Sequence, residues 1–151
     1  MPANTVKIKK YSDVVEEHVA NAAITPGMLI ELMSTSRVRV HSTADGDAVA
    51  MFALENELEG EGITDAYAAL DRVQCWIPGR GDQVYALLAN GENAAVGDFL
   101  TSNGDGYLKV RDVQSGAVER TLQIVAVALE AVDMSGSSAA DPAGRIIVRI
   151  V

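Results

Sequence analysis

Apolar residues in this 151-residue chain come in short runs, each closed by a cluster of turn formers, and no run is long enough for a core helix. Val6 and Ile8 alternate with Lys7 and Lys9. Val38 and Val40 alternate with Arg37, Arg39 and His41, and Val73, Cys75 and Ile77 alternate with Arg72, Gln74 and Trp76. Period two places such residues on one buried face of a sheet. Met28 to Met33, Ala48 to Leu54, Val84 to Leu88, Leu122 to Leu129 and Ile146 to Val151 are short apolar runs, rich in Val, Ile and Leu, suited to strands buried on both faces. Between them stand Pro26-Gly27, Asp45-Gly46, Pro78 to Gly81, Asn90-Gly91, Asn103 to Gly106, Ser115-Gly116 and the loop from Ser135 to Gly144.

The pattern predicts an all-β fold, a compact β-sandwich or β-barrel of about ten short strands. Asp13 to Ala23, and Ile63 to Leu70 behind a Thr64 or Asp65 cap, are each expected to hold a turn or two of helix. Residues 1–23 read as an N-terminal arm or edge strand, and residues 24–151 as a single β domain. No internal repeat is apparent in the sequence.

Composition narrows the function classes. The longest apolar runs fall well short of the roughly 18 residues that a membrane span needs, and the start, Met1 to Asn4, lacks the charged-then-apolar order of a secretion signal. A membrane partner is therefore not expected. A net charge of −9 repels nucleic acid, and no basic cluster exceeds Lys9-Lys10. The single cysteine, Cys75, rules out an internal disulfide and a cysteine-rich zinc site.

The stretch from Asn103 to Leu108 raises the question of calcium, because Asn103, Asp105, Gly106 and Leu108 match part of a helix-loop-helix calcium loop. Such a loop needs a carboxylate at its first position and a glutamate at its twelfth, where this chain has Thr101 and Asp112. The flanks also read as strands. Adjacent Asn-Gly and Asp-Gly pairs supply the positive φ angles of a hairpin tip, and a hairpin without metal is the expectation.

Catalytic candidates are weak. His41 shares a strand face with Arg37 and Arg39, and His18 lies next to two glutamates, so both read as solvated surface residues. Cys75 reads as a buried structural thiol. Arg80-Gly81-Asp82 reads as a turn. The acidic stretch Glu55, Glu57, Glu59, Glu61 and Asp65 reads as a solvated loop. The sequence is expected to be no enzyme and to need no cofactor.

The segments ITPGMLIEL (Ile24 to Leu32), VHSTADGDAVAMFALEN (Val40 to Asn56) and Gly60 to Val110, above all GDQVYALLANGENAAVGDFLTSNGDG, resemble the head decoration, or cement, proteins of tailed bacteriophages. The resemblance covers more than half the chain. It implies a β-rich virion protein, made in the bacterial cytoplasm, that binds the outer surface of the capsid and stabilises contacts between major capsid subunits. Homo-oligomers are also implied, a trimer ahead of a dimer, with the major capsid protein as the partner. Lys7, Lys9 and Lys10 are the candidate contact residues, on an arm that adds a strand to a neighbouring subunit; removing residues 1–12 is expected to leave a folded domain. A phage tail-tube or head-completion component, and a barrel-sandwich carrier domain, are the alternatives. The carrier reading lacks a modifiable lysine at its hairpin tip.

Overall fold

The computed structural model describes residues 2–112, 123–136 and 144–151. Among these residues the chain forms thirteen strands. They are β1 (Lys7–Lys9), β2 (Val15–Ala20), β3 (Ile30–Leu32), β4 (Arg37–Val40), β5 (Phe52–Ala53), β6 (Arg72–Trp76), β7 (Gln83–Leu88), β8 (Asn93–Ala94), β9 (Phe99–Ser102), β10 (Leu108–Val110), β11 (Ala126–Ala128), β12 (Val132–Asp133) and β13 (Gly144–Ile150). Among the described residues the helical content is a 3-10 turn at Glu57–Glu59, ended by Gly60 in the left-handed conformation. The all-β expectation holds. The turn at Ser115-Gly116 and most of the loop after Ser135 lie outside the described residues.

Strands β7, β10, β9, β11 and β13 close into a barrel, because β13 pairs with β7 along six residues. Strands β3, β4, β2, β6 and β5 form the second sheet. Its two outer strands meet through the antiparallel bridge Leu29–Phe52. Backbone hydrogen bonds reinforce that join: the Ile30 N–H donates to the Met51 carbonyl at 2.9 Å, and the Ala53 N–H to that of Met28 at 3.1 Å. The N-terminal sheet is thus a second closed barrel. Closure removes the open edges that otherwise invite aggregation.

The two barrels repeat one another, contrary to the reading of the sequence as free of repeats. In each, the first strand in chain order runs parallel to the third, and every other neighbouring pair is antiparallel. The register repeats as well. Leu32–Val38 and Ile30–Val40 correspond to Ser102–Leu108 and Leu100–Val110, a constant shift of 70 residues. Leu29–Phe52 corresponds to Phe99–Val127, and Ala53–Cys75 to Ala128–Val148. Loop bonds match too: the Gly27 N–H donates to Ala53 O at 2.8 Å, and the Gly97 N–H to Ala128 O at 2.9 Å. Both glycines sit at positive φ, 93° and 92°, where a side chain would strain the turn.

Two expectations are corrected. Asp13 to Ala23 holds no helix: Val15–Ala20 is the central strand of the N-terminal barrel, held by β6 on one side and β4 on the other. Of residues 1–23, read as an arm or edge strand, β1 is an edge strand beside β7 and β2 is part of the N-terminal barrel. Ile63 to Leu70 is a loop in which Tyr67 bridges Ile24 and donates its hydroxyl to the Leu54 carbonyl at 2.7 Å. Tertiary pairing overrides the weak helical tendency in both places.

The core has two parts. Ala20, Ile30, Val38, Met51, Ala53, Val73 and Cys75 fill the N-terminal barrel. The opposite face of that barrel, Leu29, Phe52, Leu54 and Trp76, shares one cluster with Val6 and the C-terminal barrel's Val84, Leu88, Leu100 and Ile146. That joint is also polar: the Arg145 guanidinium donates to the carbonyls of Pro26 (2.9 Å) and Ile63 (2.8 Å).

Candidate functional site

Strand β1 carries Lys7 and Lys9, and Lys10 follows it directly. The strand pairs antiparallel with β7, Lys7 opposite Val84 and Lys9 opposite Gln83, on the side where β10 reaches β7 only at Leu88. It therefore lines a gap left by the splaying of β10 from β7. The Tyr85 N–H donates to the Val6 carbonyl at 2.8 Å, and Val6 is fully buried. Lys7 and Lys10 both pair with Asp13, and Lys9 lies 5.4 Å from the centre of the Tyr11 ring. Hydrogen bonds from Lys10 and Lys7 hold the Asp13 carboxyl down at about 2. Lys9 and Lys10 are thus exposed, while Lys7 is half-buried with its ammonium 5.6 Å from the centre of the Trp76 ring.

The N-terminal segment is anchored more firmly than an arm. The buried Glu55 accepts from the Thr5 hydroxyl and, at 3.2 Å, from the Val6 N–H. Asp82, also buried, accepts from the N–H groups of Tyr11 (2.6 Å) and Gly79 (2.8 Å) and from the Ser12 hydroxyl (3.2 Å). The Arg-Gly-Asp tripeptide is thus a turn whose aspartate faces inward. Removing residues 1–12 deletes Val6 and the donors to both carboxylates. We expect that truncation to leave a folded domain whose stability is lower by about 2–4 kcal/mol, measured by urea denaturation. An unchanged midpoint would show that these contacts contribute nothing.

Asn103 to Gly106 is the tip of the β9–β10 hairpin. Both Asp105 carboxylate oxygens accept from the Asn103 side-chain amide at 3.0 Å, and one also accepts from the Tyr107 N–H at 3.2 Å, so this carboxylate is engaged within the tip. The tip also packs on the other barrel. A Cβ on Gly104 would lie 2.8 Å from the Ala44 nitrogen, and the Leu29 N–H donates to the Gly106 carbonyl at 2.9 Å. Among the described residues no group of three or more His, Cys, Asp or Glu side chains is placed to hold a metal.

His41, expected at the surface, is buried. The chain turns after β4, so its ring leaves the Arg37/Arg39 face and bonds Ser102 Oγ at 2.6 Å and the Asp47 carbonyl at 2.9 Å. It joins the two barrels and has no nucleophile to activate beyond that hydroxyl. Burial pushes the Cys75 thiol up to about 12, and its Sγ donates to the Val73 carbonyl at 3.4 Å. A thiol so protonated is a poor nucleophile.

One cavity adjoins His41. It measures roughly 340 Å³ and opens at the end of the N-terminal barrel, with Ile30, Met51 and Ile77 as its floor and Glu16, Glu31 and Asp47 around it. Sequence reasoning missed it, because Glu16 was assigned to an arm and Ala48 to Leu54 to one continuous strand.

Together these features define an all-β protein of two like barrels, with a basic edge strand and an open, acid-rimmed barrel end. No protein-family model matches the sequence, and no curated protein matches it. Among solved structures, the chain is similar to the head fiber gp8.5 N base of bacteriophage phi29, with a TM-score of 0.55 and 14% identity over 93% of this chain and 95% of that one. At that identity the likeness establishes the fold.

Proposed function

We propose that this chain is a structural protein of a tailed-phage head that binds the outer surface of the capsid and stabilises contacts between major capsid subunits. The observation that carries the reading is the agreement in fold, over nearly the whole chain, with a bacteriophage head fiber base. It is supported by the segments that resemble cement proteins. The chain acts without catalysis or cofactor, and its partners are the major capsid protein and further copies of itself.

A homotrimer is the favoured assembly, and the repeat supports self-association. Leu29, Phe52 and Leu54 are buried where the N-terminal barrel meets its neighbour. Their register equivalents in the C-terminal barrel are Phe99, Val127 and Leu129, of which Phe99 is exposed and the other two are half-buried. That face is apolar and available to a second copy. Each contact with the shell is modest, and an oligomer that engages several subunits gains by effective concentration. Lys7, Lys9 and Lys10 supply a basic edge on an otherwise acidic molecule.

Co-sedimentation with empty phage capsids tests the proposal. The expected result is saturable binding to expanded shells and none to procapsids. Failure to bind any shell of the cognate phage overturns it.

A further inference from the structure

The repeat permits a comparison of the two barrel ends. Leu88 and Ala20 are equivalent, each lying opposite the third strand of its barrel, at Leu108 and Val38 respectively. Counting back along the strands makes Val84 equivalent to Glu16 and Tyr85 to Glu17. At the C-terminal barrel, β1 lies against Gln83 to Tyr85 and buries Val6 there. Val84, Leu100, Ala126 and Ile150, which ring that end, are all buried. At the N-terminal barrel their equivalents are Glu16, Ile30, Met51 and Ile77, and these four line the open cavity. Beside β2, strand β4 pairs only at Val19 and Ala20, so among the described residues no strand covers Val15 to Glu17 on that side.

We infer that this open end is a binding site for an extended peptide strand of alternating apolar and basic residues, supplied by a partner protein. The strand lies beside Val15 to Glu17 as β1 lies beside Gln83 to Tyr85, bonds to the free main-chain edge and places an apolar side chain over Ile30, Met51 and Ile77. The charge of the occupant follows from the rim. Glu16, Glu31 and Asp47 surround the cavity; Glu31 already pairs with Arg39 at 2.7 Å and Glu16 meets His18 at 2.9 Å, while Asp47 is exposed. Basic side chains complement them and steer the encounter. The exposed Leu32 and Val49 flank the entrance and supply apolar contact for the strand. A second copy is not the occupant, because the segment of this chain with that pattern, Val6 to Lys10, is already paired in its own C-terminal barrel. The inference stands on the repeat and does not depend on the capsid reading.

A fluorescein-labelled peptide TVKIKKY, which copies the strand that fills the equivalent end, is the probe, and fluorescence anisotropy on the full-length chain is the measurement. Binding tighter than about 100 µM is expected, with at least a tenfold loss when the three lysines become glutamates. Asp47→Lys, a loop substitution, and Glu16→Lys are each expected to weaken binding severalfold. Ala48→Trp, which fills the cavity without altering charge, is expected to block it. Melting curves check that each variant remains folded. No binding at about 1 mM overturns the inference, as does equal binding by all variants, which would place the peptide in competition with β1 at the other barrel. Self-association of the wild-type chain that the Asp47 and Ala48 variants abolish would assign the site to a second copy and likewise overturn it.

Discussion

Phe52→Ala is expected to lower the stability of the chain by about 4 kcal/mol, the largest effect of any single truncation considered. Phe52 is fully buried, closes the N-terminal barrel through its bridge to Leu29, and lies opposite Trp76 in β6. It also belongs to the cluster in which the two barrels meet. Removal of the ring therefore leaves a cavity bounded by strands of both barrels, which cannot collapse without breaking register. Trp76 is the sole tryptophan, so its fluorescence in urea reports unfolding from the position opposite the substitution. Leu58→Ala, at a residue 85% exposed on the 3-10 turn, is the control and should change stability by less than about 0.5 kcal/mol. A loss below about 1 kcal/mol for Phe52→Ala would mean that the barrels are joined elsewhere.

Asp82→Ala is expected to cost about 3 kcal/mol at neutral pH. The carboxylate ties the Tyr11-Ser12 segment to the turn at Gly79, and its loss leaves three partly buried donors without that acceptor. The effect carries a pH signature. Burial alone would raise the Asp82 pKa, but the hydrogen bonds from Tyr11, Gly79 and Ser12 outweigh it and hold the group below its ordinary value. A carboxyl with a depressed folded pKa contributes stability that is complete above the unfolded value, near 3.9, and is lost as pH falls through the folded one. Wild type and variant should therefore differ fully at pH 7 and converge as the pH drops below about 4. A difference that persists undiminished at pH 2 would assign the loss to packing instead.

The β character of the chain was legible because alternation and turn chemistry are local properties. Val73 and Cys75 face inward and Arg72 outward, as period two requires, and the Asn103 to Gly106 hairpin follows from backbone conformations that Asn, Asp and Gly accept readily. His41 was misread because parity holds only while a strand lasts. β4 ends at Val40, and the next residue turns its ring into the joint between barrels. Val15–Ala20 was misread because two adjacent glutamates and a histidine lower its apolar signal, although a strand between two partners needs an inward face only where it is covered.

The sequence by itself determined the all-β class and most of the turns, which depend on neighbours a few residues apart, and its single cysteine excluded a disulfide. Tertiary structure alone decided that the strands form one barrel twice. What the two halves share is hydrogen-bond register and the side each residue faces, and many side chains satisfy those demands equally: Val38 stands where Leu108 does, Met28 where Asp98 does, and Ser36 at φ 61° where Gly106 sits at 86°. Tertiary structure likewise decided that one barrel end is filled by β1 and the other is open. That difference depends on residues far apart in the chain, Val6 bonded to Tyr85 at one end and Glu16 and Met51 lining one cavity at the other, which no local spacing encodes.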